Sequence, residues 1–288
     1  MKSFTVPITL LVSITLNSFA QPSNGKVSSL VAAENYFAAK AKENGVREGF
    51  LRVSDNETLV FRPNAVNAED FYDKKQLDPG ELLWEPSYAR ISRSGDWGFT
   101  TGPYIYTAFS DSSKTYGQYL SIWRANGKGI WKLALDIGTP HPKPIKEPRM
   151  DFTDAKDSRF FRQLSPVRLK QREEMILASD RLLANAHTKS TALGYNTFLA
   201  DEARLIFPGT EPIIGKENIS KFIYDQGINI FSEPAYANRS IGSDLAFSYG
   251  TAQITTNTKT AKYNYVRIWE SQEGFKWNVI VEMFSPAE

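Results

Sequence analysis

Apolar residues recur at helical spacing in two stretches of the chain, and strand-like segments follow each stretch. Leu30, Ala33 and Phe37 share one helical face, with Ser28 or Ser29 as the expected N-terminal cap. A shorter stripe of Val46, Phe50 and Val53 predicts a second helix. Aromatic and β-branched residues then predict strands at 58–61, 88–92, 97–108, 116–124 and 131–137. Helices followed by a meander of strands predict an α+β fold.

This pattern occurs twice. Residues 85–102 and 233–250 are identical at eight of 18 positions without a gap, where about one match is expected from average residue usage. Ser165 and Pro166 are expected to begin the counterpart of the first helix. The flanks also match, which predicts that Phe61 superposes on Phe207, Tyr119 on Tyr265 and Trp131 on Trp277.

The repeat divides the chain into two predicted domains. The first copy spans residues 28–142 and the second spans residues 165–286. Residues 143–164 carry several prolines among mixed charges, which predicts an extended linker.

The amino terminus has the pattern of an export signal. Lys2 precedes an uncharged, largely apolar run that ends at Ser18-Phe19-Ala20, so residues 1–20 are predicted to be a signal peptide cleaved after Ala20. The alternative is a membrane anchor, but several Thr and Ser residues dilute the apolar run. Without a cysteine for lipid attachment, the mature chain is expected to be free of the membrane, periplasmic or secreted.

Composition removes several classes of function. The 34 Lys and Arg residues nearly balance the 32 Asp and Glu residues, so a nucleic-acid partner is not expected. The chain has no cysteine and only two histidines, His141 and His187, without a second ligand at readable spacing. We therefore expect no metal and no cofactor.

Certain residues recur at matching places in both copies. In the first they are Ser54, Asp55, Phe61, Pro63, Gly102, Trp123, Gly129 and Trp131; in the second they are Ala200, Asp201, Phe207, Pro208, Gly250, Trp269, Gly274 and Trp277. Both sets resemble the nuclear transport factor 2-like superfamily, which includes ketosteroid isomerase and SnoaL-like polyketide cyclases. The resemblance implies two tandem cones, each a strongly curved, mostly antiparallel sheet packed on helices, with a ligand pocket at the open end. It also implies dimer-like packing of sheet against sheet, so we expect a monomeric pseudo-dimer.

The isomerase mechanism of that family is not expected here. The isomerases place a proton-shuttling Asp before the Pro that ends the first strand, whereas Arg62 precedes Pro63 and Phe207 precedes Pro208. Neither side chain is a base at neutral pH. Tyr36 resembles the family's oxyanion donor, although its counterpart in the second copy is Leu182.

The first copy is expected to hold the functional pocket because it keeps more aromatic residues with polar atoms. The predicted ligand-binding residues are Tyr36, Arg62 at the rim, Trp84, Trp97, Tyr104, Tyr119 and Trp123. Asp136 and His141 remain as alternative acid–base residues. Strand alternation places Asp136 opposite the apolar face of its strand, toward solvent or the other sheet.

Two functions stay open. The first is a binding module for a small, partly apolar organic ligand, because the expected base is missing. The second is an isomerase, cyclase or hydrolase acting on a cyclic or polyketide-like compound. A buried carboxylate or histidine inside the pocket, with a carboxyl pKa raised by burial, favours the enzyme. A pocket of aromatic side chains with one arginine favours binding.

Overall fold

The computed structural model describes residues 22–75, 79–163 and 165–288. The predicted signal peptide, residues 1–20, lies outside them. The first unit comprises helices α1 (Val27–Asn44), α2 (Val46–Val53) and α3 (Ala68–Lys74), with strands β1 (Leu59–Phe61), β2 (Ala65–Asn67), β3 (Gly80–Trp84), β4 (Tyr88–Ile91), β5 (Trp97–Ala108), β6 (Lys114–Ala125) and β7 (Trp131–His141). Strand β8 (Asp151–Thr153) follows within the predicted linker.

The second unit repeats this order. It comprises helices α4 (Pro166–Lys189), α5 (Thr191–Phe198) and α6 (Lys216–Asp225), with strands β9 (Leu199–Ile206), β10 (Ile213–Ile214), β11 (Asn229–Arg239), β12 (Leu245–Thr255), β13 (Thr260–Ser271) and β14 (Trp277–Pro286). The short 3₁₀ helix Glu273–Phe275 connects β13 to β14. The α+β fold with one mixed sheet in each unit confirms the predicted fold class.

The expected serine cap of α1 is wrong. Lys26 precedes the helix and makes no side-chain capping bond. The amide of Val27 instead donates to Asp154 Oδ1 at 2.7 Å, so an acid from the segment after β8 satisfies the first turn. Ser165 likewise precedes α4 without a side-chain cap, and Pro166 begins that helix.

The two sheets have corresponding topologies. The first runs β2-β1-β7-β6-β5-β4-β8, with β3 also pairing β5, and the second runs β10-β9-β14-β13-β12-β11. In each sheet the strand that follows the second helix lies parallel to the last long strand, while the long strands pair antiparallel. Strand β8 has no counterpart and extends the first sheet beside β4.

Strand register supports two of the three predicted matches between copies. Tyr119 pairs with Gly138, and Tyr265 pairs with Phe284 at the corresponding place. Trp131 and Trp277 both begin the last long strand, opposite Ala125 and Ser271 respectively. These registers place the long strands of the two units in equivalent positions.

The predicted match of Phe61 with Phe207 is wrong by one residue. Phe61 packs in the same cluster as Ile206, between the two sheets, whereas Phe207 packs in the core of the second unit. Phe61 is thus equivalent to Ile206, and the next residue, Arg62, is equivalent to Phe207. Neighbouring strand residues point to opposite faces, so this shift of one residue changes which face each side chain is expected to occupy. The sequence comparison aligned Phe61 with Phe207 because both are phenylalanines. In the structure the equivalent residues are the two prolines that follow, Pro63 and Pro208.

As predicted, the sheets of the two units pack face to face. Leu120, Ile122, Leu135 and Ile137 of the first sheet form one buried cluster with Val266, Ile268, Val281 and Met283 of the second. Trp97 stacks on Phe247 within this cluster, with ring centroids 5.7 Å apart and planes at 17°. Ser285 Oγ donates to the carbonyl of Gly138 across the contact at 2.7 Å. Each sheet therefore buries its outer face against the other.

Candidate ligand-binding site

A cavity of about 550 Å³ lies between the helices and the sheet of the first unit. Its wall is mostly aromatic and carries a few charged groups. The lining residues are Phe37, Phe50, Phe61, Arg62, Pro63, Phe71, Lys75, Leu82, Trp84, Tyr104, Tyr106, Thr115, Tyr119, Asp136 and Gly138. The volume is in the range of small-molecule sites, which combine apolar walls with few polar groups.

The charged centre of the cavity is an ion pair between Arg62 and Asp136. Arg62 Nη2 donates to Asp136 Oδ1 at 2.7 Å, and Arg62 Nη1 donates to the carbonyl of Phe61 at 2.8 Å. The guanidinium carbon lies 5.3 Å from the centroid of the Phe50 ring. Burial lowers the pKa of Arg62, but the interactions with Tyr72 and Asp136 raise it by a larger amount. The net shift is upward, so the side chain stays cationic.

The predicted orientation of Asp136 is wrong because β7 contains an irregularity. Ile122 pairs with Leu135 but Trp123 pairs with Leu133, so the register shifts between them. A bulged residue reverses the alternation that follows it. Trp131 and Leu133 pack in the core of the unit, whereas Leu135 and Ile137 turn to the other sheet and Asp136 turns into the cavity.

Glu34 is a buried acid behind the cavity wall that the sequence reasoning missed. Trp84 Nε1 donates to Glu34 Oε1 at 2.6 Å, and Trp123 Nε1 donates to Glu34 Oε2 at 2.8 Å. Thr100 Oγ1 donates to Glu34 Oε2 at 2.5 Å. Burial raises the pKa of Glu34 to about 7, against the lowering effect of these hydrogen bonds.

Two tyrosines complete the polar part of the wall. Burial raises the pKa of Tyr119 well above its usual value, and it also raises the pKa of Tyr104. Both hydroxyls therefore keep their protons at neutral pH. The Tyr104 hydroxyl can donate to an acceptor on a ligand, whereas the Tyr119 hydroxyl is enclosed by the protein.

Four of the seven predicted ligand-binding residues lie on this cavity: Arg62, Trp84, Tyr104 and Tyr119. Trp123 lies behind the wall and binds Glu34. Tyr36 lies on a half-exposed side of α1, with Lys40 Nζ 5.8 Å from its ring centroid. Glu34 and Phe37 occupy the inward face of α1, so Tyr36 points away from the cavity. Leu182, its counterpart on α4, is also exposed.

Trp97 and His141 were predicted to be close to the pocket, but they lie elsewhere. The ring of Trp97 is stacked on Phe247 between the sheets, because its side of β5 is the outer face of the first sheet. His141 ends β7 and lines a different cavity, at the contact of the two units.

The second unit fills the corresponding space with its own side chains. Phe207, Tyr263 and Phe284 pack together there, with ring centroids of Phe207 and Phe284 5.9 Å apart. Strand register places Arg62, Gly117 and Gly138 at the equivalent positions of the first unit. An arginine and two glycines thus replace three aromatic side chains, and the ring of Tyr104 covers one of the glycines, Gly117.

A buried arginine occupies the centre of the second unit. Arg267 Nε donates to Glu282 Oε1 at 2.7 Å, and Arg267 Nη1 also pairs with Asp180. Tyr265 donates to Asp180 at 3.0 Å. The first unit has Ser121 at the position of Arg267, and its acids Glu34 and Asp136 stand at the positions of Asp180 and Glu282. Ser121 Oγ donates to Asp136 Oδ2 at 3.2 Å, so a hydroxyl takes the place of the guanidinium beside this acid.

No group of three or more His, Asp or Glu side chains suited to a metal ion is found among residues 22–75, 79–163 and 165–288. In the same described part of the chain, no helix is both long enough and apolar enough to cross a membrane.

Comparison with known proteins gives similarities of fold. A nuclear transport factor 2-like protein from Cytophaga hutchinsonii is 19% identical, with a TM-score of 0.34, over 40% of this chain and 97% of that chain. A ketosteroid isomerase-like protein from Erwinia carotovora is 16% identical, with a TM-score of 0.33, over 39% and 96%. A nuclear transport factor 2-like superfamily protein from Salmonella enterica is 14% identical, with a TM-score of 0.34, over 41% and 94%.

Each of these structures matches about two fifths of this chain. No protein-family model and no curated protein matches the chain.

Proposed function

We propose that the first unit binds a small, partly apolar organic molecule containing at least one flat ring, without transforming it. The observation that carries this proposal is the difference between the two interiors. Phe207 and Phe284 fill one interior, whereas Arg62 and Gly138 replace them in the other, which keeps a cavity of about 550 Å³. A ring-containing ligand would restore the close packing that the second unit achieves with its own residues.

Polar groups at one end of the cavity suit a ligand that carries a hydrogen-bond acceptor, such as a carboxylate or a carbonyl. Arg62 has five N–H donors, and its bonds to Phe61 and Asp136 use only part of them. Tyr104 adds a neutral hydroxyl donor. A mostly aromatic wall lowers the local dielectric, which strengthens each such bond.

Gly138→Phe is a direct test because it places the aromatic residue of the second unit in the cavity of the first. A Cβ at this position would be 3.5 Å from Tyr104 Cε1, an ordinary contact, so the backbone at Gly138 accommodates a side chain. Gly127→Phe is the matched control, since a Cβ there meets nothing within 4 Å. Ring compounds that raise the melting temperature of the wild type are expected to stabilise Gly127→Phe but not Gly138→Phe.

Two outcomes of this screen contradict the binding proposal. One is that no ring compound in a broad library raises the melting temperature of the wild type. The other is that the active compounds stabilise Gly138→Phe as much as they stabilise the wild type.

One observation favours a second candidate, an isomerase, cyclase or hydrolase that uses Asp136 as its base. Asp136 lines the cavity, as such a base must. Burial raises the pKa of the Glu34 carboxyl, but Glu34 lies behind Trp84 and outside the cavity lining. Conversion of a bound compound by the wild type, lost in Asp136→Asn while binding persists, would favour this enzyme over the binding module.

We further propose that the chain acts outside the cytoplasm as a monomer. The charged start, apolar run and Ser18-Phe19-Ala20 ending support export, and the buried outer faces of the two sheets support a single-chain pseudo-dimer. Amino-terminal sequencing of exported protein is expected to begin at Gln21, and light scattering is expected to give the mass of one chain. A start at Met1 or an obligate dimer of full chains would contradict the respective point.

A further inference from the structure

A second cavity, of about 530 Å³, lies where the two units meet. One wall comes from the first sheet. A second comes from residues 144–151, which lead into β8, and a third comes from β9, β10 and the turn between them. None of its lining residues lines the aromatic cavity of the first unit. We call it the seam cavity.

The floor of the seam cavity consists of buried polar side chains. Ser87, Thr101, Gln118 and His141 line it, and each is more than nine-tenths buried. Gln118 Nε2 donates to Thr101 Oγ1 at 3.1 Å, and Ser87 Oγ donates to the carbonyl of Thr101 at 3.3 Å. Buried polar side chains in a protein interior normally have hydrogen-bond partners, so any exception needs an explanation.

His141 is that exception. Its Nδ1 lies 2.6 Å from the carbonyl oxygen of Pro142. A carbonyl can only accept, so Nδ1 carries a hydrogen, and in the tautomer with a single N–H this makes Nε2 an acceptor. This buried Nε2 has no hydrogen-bond partner. The floor therefore offers an unused acceptor to a ligand that donates N–H or O–H.

The walls of the seam cavity carry charges of both signs. Glu202 and Glu211 lie on the side of the second unit, and Lys146, Glu147 and Arg149 lie on the segment that crosses from one unit to the other. Arg204 and Asp151 also line the cavity, but they pair with each other at 3.2 Å. The lining therefore offers both carboxylates and cationic groups to a ligand.

We propose that the seam cavity binds a small zwitterion, an amino acid or a short peptide. The ammonium group donates to His141 Nε2 and to the carboxylates of Glu202 and Glu211, while the carboxylate meets Lys146 and Arg149. An uncharged polyol would leave the charged groups of both signs without a partner, and a simple amine or a simple carboxylate would pair with groups of only one sign. This site is independent of the aromatic cavity.

The two histidines of the chain allow a direct test by ¹⁵N-detected imidazole spectra of the full-length protein. Glycylglycine and L-lysine are the probes, with butylamine, butyrate and glucose as controls. Addition of either zwitterion is expected to move the Nε2 resonance of His141. His187 lies in the core of the second unit and serves as the internal reference, so its resonances are expected to stay in place.

Two exposed residues provide variants that leave the fold intact. Lys146→Ala with Arg149→Ala is expected to weaken the zwitterions at least ten-fold, and exposed Lys189→Ala is the control. The absence of a His141 shift with both zwitterions would overturn the proposal. Equal affinity for glucose, or for butylamine alone, would overturn it as well, as would unchanged zwitterion affinity in the double variant.

Discussion

Asp96 and Asp244 occupy equivalent turns of the two units, and each accepts a backbone N–H from the turn of the other. The amide of Arg93 donates to Asp244 Oδ2 at 2.8 Å, and the amide of Ile241 donates to Asp96 Oδ2 at 3.1 Å. The contact is thus reciprocal, as across the two-fold axis of a dimer. The two units of this single chain are related in the way that the identical subunits of a dimer are.

Asp244→Ala is expected to lower the free energy of unfolding by about 1–3 kcal/mol, because it leaves the partly buried amide of Arg93 without its acceptor. Asp225→Ala is the control. Asp225 makes only an exposed pair with Lys221, and its removal should change the value by less than about 0.5 kcal/mol. Denaturant unfolding measures both. Equal effects of the two changes would contradict a role for the reciprocal contact.

The second prediction concerns pH. Burial raises the pKa of Glu34 to about 7 from an ordinary 4.5. The folded state therefore binds the proton more tightly than the unfolded chain does, and the stability from protonated Glu34 is complete below pH 4.5 and lost as the pH rises toward 7. The loss is about 3 kcal/mol at about 1.4 kcal/mol per pH unit.

Glu34→Gln is the variant that isolates this effect. It is expected to lower stability by a constant amount, because one Trp N–H then faces an amide donor, and to reduce the pH dependence between 4.5 and 7. Denaturant unfolding at several pH values measures the slope. An unchanged slope in the variant would show that Glu34 is not the titrating group.

Four of the fifteen residues that line the aromatic cavity could be predicted from the sequence as ligand-binding residues. Trp84, Tyr104 and Tyr119 were predicted from the aromatic cluster of the first copy, and Arg62 from its place before Pro63. Glu34 was missed because an acid in a helix with Lys40 and other polar residues has the pattern of a solvated face. Its pairing with two tryptophans, 50 and 89 residues away in sequence, is purely tertiary.

Two other errors have local physical causes. Asp136 was assigned to the wrong face because the register shift beside Trp123 leaves no mark in the alternation of residue types. Trp97 was wrongly assigned to the pocket. Both faces of each sheet are buried, one against helices and the other against the partner sheet. Apolar residues therefore alternate between two buried faces, and residue type alone does not distinguish them.

The third prediction compares the two buried arginines. Arg267→Met is expected to lower the free energy of unfolding by about 3–5 kcal/mol, because it leaves Asp180 and Glu282 buried without a cation. Arg62→Met should cost less, since the Arg62 side chain keeps 27% of its exposure and its partner Asp136 borders a cavity. Thermal and denaturant unfolding of the two variants give the order, and a reversed order would contradict it.

The fourth prediction concerns ligand affinity. Arg62→Ala is expected to weaken an anionic ring compound by about 1.5–3 kcal/mol, because a charge-assisted hydrogen bond is lost. The uncharged analogue of the same compound should be affected much less. Titrations monitored by tryptophan fluorescence are suitable, because Trp84 lines the cavity. If both compounds keep their wild-type affinity in the variant, Arg62 has no role in recognition.

The central claim is that the first unit holds a ligand in the space that the second unit fills with its own rings. A crystal structure of the full chain with the best compound from the screen tests it most directly. The account predicts the compound between Trp84, Tyr104 and Arg62 in the first unit, with the side chain of Phe284 filling the equivalent space of the second. A compound bound inside the second unit, or only on the surface, would contradict the account.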